Sequence, residues 1–553
     1  MLITIALALP TLWPLELQAE TPPEANAQEL VYYDWVDEAG QLRGGRAWAP
    51  IEQAETLPQV PFMPAVTIWQ GSGGSNDNRV DLVFVGDGYQ ASELDDFEDH
   101  VDSQSAAFLN EEPFATYATY FNIHRVDVIS VDSGVDNDPS QGINRNTAMN
   151  MRFWCNGIER LLCVSTSLAS GFANMAPDRD YVIAIANSSK YGGAGYPQNN
   201  MATVSGGNGS ASEVMIHEMG HALGNLADEY NYGGPSAWPG GEPNEANNST
   251  RDAAAMAGQN TKWADWLGEN QGAFDGLVST FEGAHYSQTG IYRPTNNSLM
   301  RNLGRPFNLP SVEELIVQIH QHLEVIDDSS PTGAIYEGDE TLFITPMQPV
   351  GHALDTRWLL NGTPIPGATS TTLDMSTLGL PIGTHNITAE VVDPTPWVRS
   401  ATARANHLTD TRVFTVESSL VTNYCQASPN SAGSGAFMNS LGTTSVSANN
   451  FVVNANSAAV SQVGIFYYGT NATEAPFGDG YRCVAGSTYR LPILQTGFPF
   501  GDVTYPIDLS APPQASGQIS AGSTWFFQFW FRDPAAGGTG HNLSNGLEAT
   551  FVP

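Results

Sequence analysis

The chain has 553 residues, 58 of them Asp or Glu and 21 Lys or Arg, giving a formal net charge of -37. Its length exceeds what one hydrophobic core organises and points to roughly three or four domains. Its acidity repels nucleic acid and anionic membrane surfaces, so neither is an expected partner.

The chain opens with MLITIALALPTLWPLELQAE, an apolar run with a small residue, Ala19, where a signal peptidase can cut. Residues 1–19 are read as a secretory signal, although no Lys or Arg precedes Arg43, and the protein is expected to be extracellular. Residues 20–75 follow as an N-terminal β module or pro-segment. There VYYDWVDEAGQLRGGRAWAP alternates apolar and polar residues around a turn, as hairpin strands do, and GSGGSND from Gly71 reads as a linker. No later run approaches the roughly 20 apolar residues that span a bilayer.

Residues 76–328 carry mixed α/β content. RVDLVFVGDGY predicts a buried strand, ASELDDFEDHVDSQSAAFLN an amphipathic helix, and DYVIAIANS a second buried strand. The glycine-rich YGGAGYPQNNMATVSGG is expected to form an exposed edge strand, on which an extended peptide can add. Asp132, Asp136 and Asp138 share one loop and Asp479 lies on another. Such carboxylates suit calcium, although solvated loop carboxylates are the commoner case. The four cysteines fall as two separated pairs, Cys155 with Cys163 and Cys425 with Cys483, which suggests two local disulfides.

The chemistry concentrates in HEMGHALGNLADEY, residues 217–230. Ser210 and Glu213 have the spacing of a capping box, so a helix can start there and carry His217 and His221 on one face, one turn apart, where both reach one zinc ion. Glu218 projects beside them as a general base for water. Gly224 permits a left-handed turn that ends the helix and lets the chain return with a third ligand. Asp228 is favoured over Glu229 for that position, the other carboxylate orienting the site from behind. Two histidines and one carboxylate leave a position for water, as hydrolysis requires.

From PTGAIYEGDETLFITP onward helical periodicity gives way to short alternating strands. Over 329–418 the Trp358 strand, the Asn361-Gly362 turn and the Gly383 turn fit a β-sandwich similar to Ig-like or PKD-type modules. Residues 419–553, with STWFFQFWFRDP, read as a further β-sandwich of unknown function.

HEMGHALGNLADEY resembles the zinc-binding stretch of the IgA-peptidase family of secreted metallopeptidases, relatives of the metzincins. VDLVFVGDGYQASELDDF, EEPFATYATYFNIHRVDVISVDSGVD, CNGIERLLC, SKYGGAGY and GIYRPTNNSLMR resemble the same family in the same order, across roughly residues 76–320. The resemblance implies a metzincin-like α+β peptidase domain, zinc as cofactor and a protein or peptide substrate. It also places Met300, in NNSLMRN, on a turn beneath the metal. Ordinary metzincins put their third ligand three residues after the glycine, where this chain has Ala227, so the Asp228 assignment is the departure. Tyr292 is a candidate donor to the oxyanion, with a structural tyrosine as the bland alternative.

The expected protein is therefore a multidomain, secreted zinc endopeptidase followed by two all-β sandwich domains. The rival is an extracellular binding or adhesion protein, in which the C-terminal modules take a surface or glycan ligand and the front domain is accessory.

Overall fold

The computed structural model describes residues 28–36, 42–51, 61–71 and 78–553, apart from 233, 339, 379 and 382. The expected signal over 1–19 and nearly all of the expected linker after Gly71 lie outside the described residues.

The front unit is built on one eight-stranded mixed sheet of order β2-β1-β7-β8-β6-β4-β5-β3. Its strands are β1 (Gln28–Val36), β2 (Leu42–Pro50), β3 (Val66–Trp69), β4 (Val80–Asp87), β5 (Phe121–Val126), β6 (Tyr181–Ala186), β7 (Gly193–Tyr196) and β8 (Met201–Ser205). The parallel centre, β5-β4-β6-β8, is buried along its whole length, which is why LVFV in β4 and YVIAIA in β6 are continuous apolar runs. Leu82, Phe84 and Ile183 face one core, with α1 (Leu94–Phe108), α3 (Ala211–Ala222) and α4 (Leu309–Gln321). Val83, Val85 and Val182 face the other, with α2 (Thr166–Ala173). The Cys155–Cys163 disulfide closes a short loop in that second core.

The segment expected as one exposed edge strand is two strands. Asn200, at φ 48°, reverses the chain between β7 and β8. β8 then sits inside the sheet between β7 and β6, and the outer edge of β7 is met by β1, with Tyr32 opposite Gly195. The N-terminal hairpin is thus part of the front sheet.

Two β units follow. The first packs a three-stranded sheet (Ile326–Ser329, Thr341–Pro346, Thr372–Asp374) and a five-stranded one around buried Trp358. Asn361 and Gly362, at φ 49° and 80°, make the tight turn between two of its strands, as an Asn-Gly pair permits. This unit is fastened to the front one through Asp393, which is fully buried. It accepts hydrogen bonds from Tyr117 Oη (2.7 Å) and the Thr395 amide (2.8 Å), and it pairs with His352 Nε2 at 2.6 Å. The second β unit packs a six-stranded and a three-stranded sheet around Phe527, Phe529 and Phe531, and carries the Cys425–Cys483 disulfide. No helix among the described residues is long and apolar enough to cross a membrane.

Candidate metal centre

α3 starts at Ala211 with Ser210 in the N-cap position, but the expected capping box is not formed. Ser210 has φ -105° and ψ 9°, outside the extended region an N-cap residue usually adopts, and its hydroxyl makes no hydrogen bond to the first turn. Asn208 holds the start instead, its carbonyl accepting from the Ala211 amide and its side chain from the Ser210 amide.

His217 and His221 are both buried. Nδ1 of His217 donates to the Leu299 carbonyl at 3.0 Å, and Nδ1 of His221 to the Leu226 carbonyl at 2.6 Å. Because a carbonyl only accepts, each Nδ1 carries the proton, and in the neutral rings each Nε2 is a bare lone pair. Those two Nε2 atoms lie 3.2 Å apart, with Asp228 Oδ1 at 3.3 and 3.4 Å from them and Asp34 Oδ2 at 3.0 Å from His217 Nε2. One donor atom from each of Asp34, His217, His221 and Asp228 lies within 4.8 Å of the others. Four electron-rich atoms converging in a buried site repel one another unless a cation lies among them, so the donor set fits a metal ion.

The chain returns to this point by a route that differs from the expected one. The left-handed residue is Asn225, at φ 46°, whereas Gly224 is absent from the positive-φ positions. Gly224 is needed for space: a Cβ there would lie 2.8 Å from Leu315 Cδ2 and 2.9 Å from the Gly220 carbonyl. Asn247 then clamps the loop, accepting from the Ala227 amide and donating to the Ala227 carbonyl, both at 2.8 Å. Glu229 points away from the donor cluster and accepts from Ser298 Oγ (2.8 Å), Asn308 Nδ2 (2.8 Å) and Asn247 Nδ2 (3.0 Å). Burial raises its carboxyl to about 6, against those donors. Met300 lies under α3: its carbonyl accepts from the Glu229 amide at 2.7 Å, and a Cβ on Gly220 would meet its Sδ at 2.7 Å.

Electrostatics follow the crowding. Burial disfavours a charged His217, yet Asp34 and Asp228 outweigh it and raise the imidazole well above its ordinary value. For Asp228 burial is likewise opposed, by His221 and His217, which hold it far below the carboxylate range. Glu218 is fully buried. Burial first and the Asp34 charge second push it well above its ordinary value, and a bound cation acts in the opposite direction. Its carboxylate lies against β7, where a Cβ on Gly195 would sit 2.5 Å from Oε2.

Tyr292 lies in the strand Ser287–Arg293, partly exposed, opposite Glu282, and no ring contact joins it to the donor set among the described residues. Tyr286 is the tyrosine that reaches a candidate ligand, its hydroxyl donating to Asp228 Oδ2. The His285 ring packs on Trp238, and burial, then Arg46, lower it to about 4. The carboxylates of Asp132 and Asp136 accept from amides of their own loop, at Asn146 and Arg145. Sequence reasoning missed Asp34, Tyr286 and Asn247. An aspartate facing a glycine in a hairpin was the available signal for the first, and the other two carry none.

Residues 69–275 match the IgA Peptidase M64 family. The matched segment contains both histidines, Glu218, Asp228 and Glu229, whereas the β1–β2 hairpin and Met300 lie outside it. No curated protein matches the chain. The M64 match supports a peptidase acting on protein, and the His/Asp cluster supports dependence on a metal.

Proposed function

We propose that the chain is a secreted, zinc-dependent endopeptidase, with a metzincin-like front domain and two appended β-sandwich modules, the first Ig-like. The observation that carries this reading is the convergence of His217 Nε2, His221 Nε2 and Asp228 Oδ1, with the carboxylate of Glu218 on the same helix. Those three residues would hold the ion. When bound, zinc would lower the proton affinity of water and polarise the scissile carbonyl. A Glu218 carboxylate oxygen takes a proton from the attacking water as its oxygen bonds to the carbonyl carbon. The same group passes that proton to the leaving nitrogen as the C–N bond breaks. Tyr286, hydrogen-bonded to Asp228, is better sited than Tyr292 to act beside the reacting carbonyl. The two disulfides and the lack of a spanning helix among the described residues support an extracellular location.

The test is detection by mass spectrometry of new peptide ends in a mixed protein substrate, for wild type and Glu218→Ala, with and without a chelator. Cuts by unchelated wild type and none by Glu218→Ala, which still binds zinc, are the expected result. Cleavage retained by Glu218→Ala refutes the role of that residue.

A further inference from the structure

The β1–β2 hairpin lies outside the family match, yet it enters the metal centre. Asp34 is 2% exposed and supplies the fourth donor atom of the cluster. Its other oxygen, Oδ1, accepts from Tyr230 Oη at 2.5 Å. Gly44 stands opposite Asp34 on β2, and a Cβ there would lie 2.2 Å from Asp34 Oδ1 and 2.5 Å from Tyr230 Oη. The hairpin is therefore shaped to seat this carboxylate. Two residues earlier on the same face, Tyr32 stacks on His221, with ring centroids 4.5 Å apart, and pairs with Gly195 of β7.

Hydrolysis at such a centre needs a ligand position open to water and an open strand edge for an extended peptide. Asp34 fills the first and β1 covers the second. We propose that β1 and β2, Gln28–Val36 and Leu42–Pro50, form an intramolecular inhibitor of the peptidase inferred above, with Asp34 holding the water's place at the metal and β1 the substrate's place on β7. The seal is noncovalent, so displacing the hairpin frees both positions together. A permanent structural ligand at Asp34 would behave in the opposite way, since its removal would cost metal and activity.

The full chain, loaded with cobalt(II), distinguishes the two. Acetohydroxamate, a small metal-binding probe, is titrated into wild type, Asp34→Ala and Gly44→Val while the visible absorption of cobalt is followed. Cleavage of casein is measured on the same proteins. The added Cβ of Gly44→Val would force the hairpin to shift, which gives a second route to the open form if Asp34→Ala folds poorly. The expected result is a spectral response in both variants at probe concentrations that leave wild type unchanged. Casein cleavage should rise about ten-fold or more, because activity scales with the open population. Adding Glu218→Gln to Asp34→Ala should abolish cleavage and keep the spectral response. Equal probe uptake by wild type and variants overturns the proposal, as does loss of cobalt from Asp34→Ala. A spectral response as expected without cleavage by any chain leaves the seal standing and removes the peptidase reading instead.

Discussion

Gly195→Ala separates the geometry of the base from the stability of the fold. The new Cβ would lie 2.5 Å from Glu218 Oε2, and 3.8 Å, an ordinary contact, from His221 Cβ. Relief to even the closest tolerated separation of 3.0 Å needs a movement of at least half an ångström. The cheapest movement is of the carboxylate, since it ends a flexible side chain while β7 is held in its ladder with β8. Folding should change little, and the thermal midpoint should stay within about 2 °C of wild type. Misplacing a reacting group by up to about 1 Å can cost on the order of 100-fold in rate, so kcat is expected to fall about 10- to 100-fold, or roughly 1.4 to 2.7 kcal/mol. Steady-state cleavage of one quenched fluorescent peptide, with parallel thermal scans, makes the comparison. Because Gly195 also pairs with Tyr32, the measurement belongs in an Asp34→Ala background for both chains. A kcat within two-fold of its parent would refute the assignment of Glu218 as the base lying on β7.

Asn247→Ala removes the clamp on the loop that carries Asp228. It strands the buried Ala227 amide and carbonyl, so a destabilisation of about 1–3 kcal/mol is expected in denaturant melts, with metal affinity falling about 10- to 100-fold in chelator competition. Asp393 carries the pH dependence of the joint between the front and second units. Burial opposes its ionisation, but His320 and Tyr117 outweigh it and lower the carboxyl from the ordinary 3.8 to about 2. A lowered folded value stabilises above pH 3.8, by about 2 kcal/mol, and that contribution is lost as pH falls from 3.8 through 2. Asp393→Asn should flatten the stability profile across that window, as read by melts from pH 5 to pH 2.

What was legible in the sequence was what local geometry sets. His217 and His221 sit one helical turn apart, so four positions of sequence suffice to place both imidazoles on one face. The buried strands β4 and β6 showed in a similar way, because a strand covered on both faces is apolar along most of its length, here VDLVFVGD and YVIAIA. Ser210, Gly224 and the β7–β8 segment show where residue type misleads. A serine followed three positions later by a glutamate makes a capping box only when its backbone is extended, and a glycine after a helix serves spacing as readily as chirality. The glycines of YGGAGY suggested a free edge, but one of them, Gly195, makes room for Glu218 on one side and meets Tyr32 on the other.

Asp34 was illegible for a different reason. Its partner Tyr230 lies 196 positions along the chain, and nothing periodic links them. Only the sheet order, which sets β1 beside β7, brings the carboxylate to the histidines. Once that order is known, the local sequence becomes interpretable: Gly44 is the residue that leaves space for Asp34, and Tyr32 is the same-face neighbour that covers His221. A hairpin that served only to extend the sheet would need neither a glycine facing an aspartate nor an acidic side chain buried among histidines. A buried carboxylate set against other electron-rich donor atoms is costly to keep, so its retention beside the donor cluster argues that the hairpin acts on the metal centre itself.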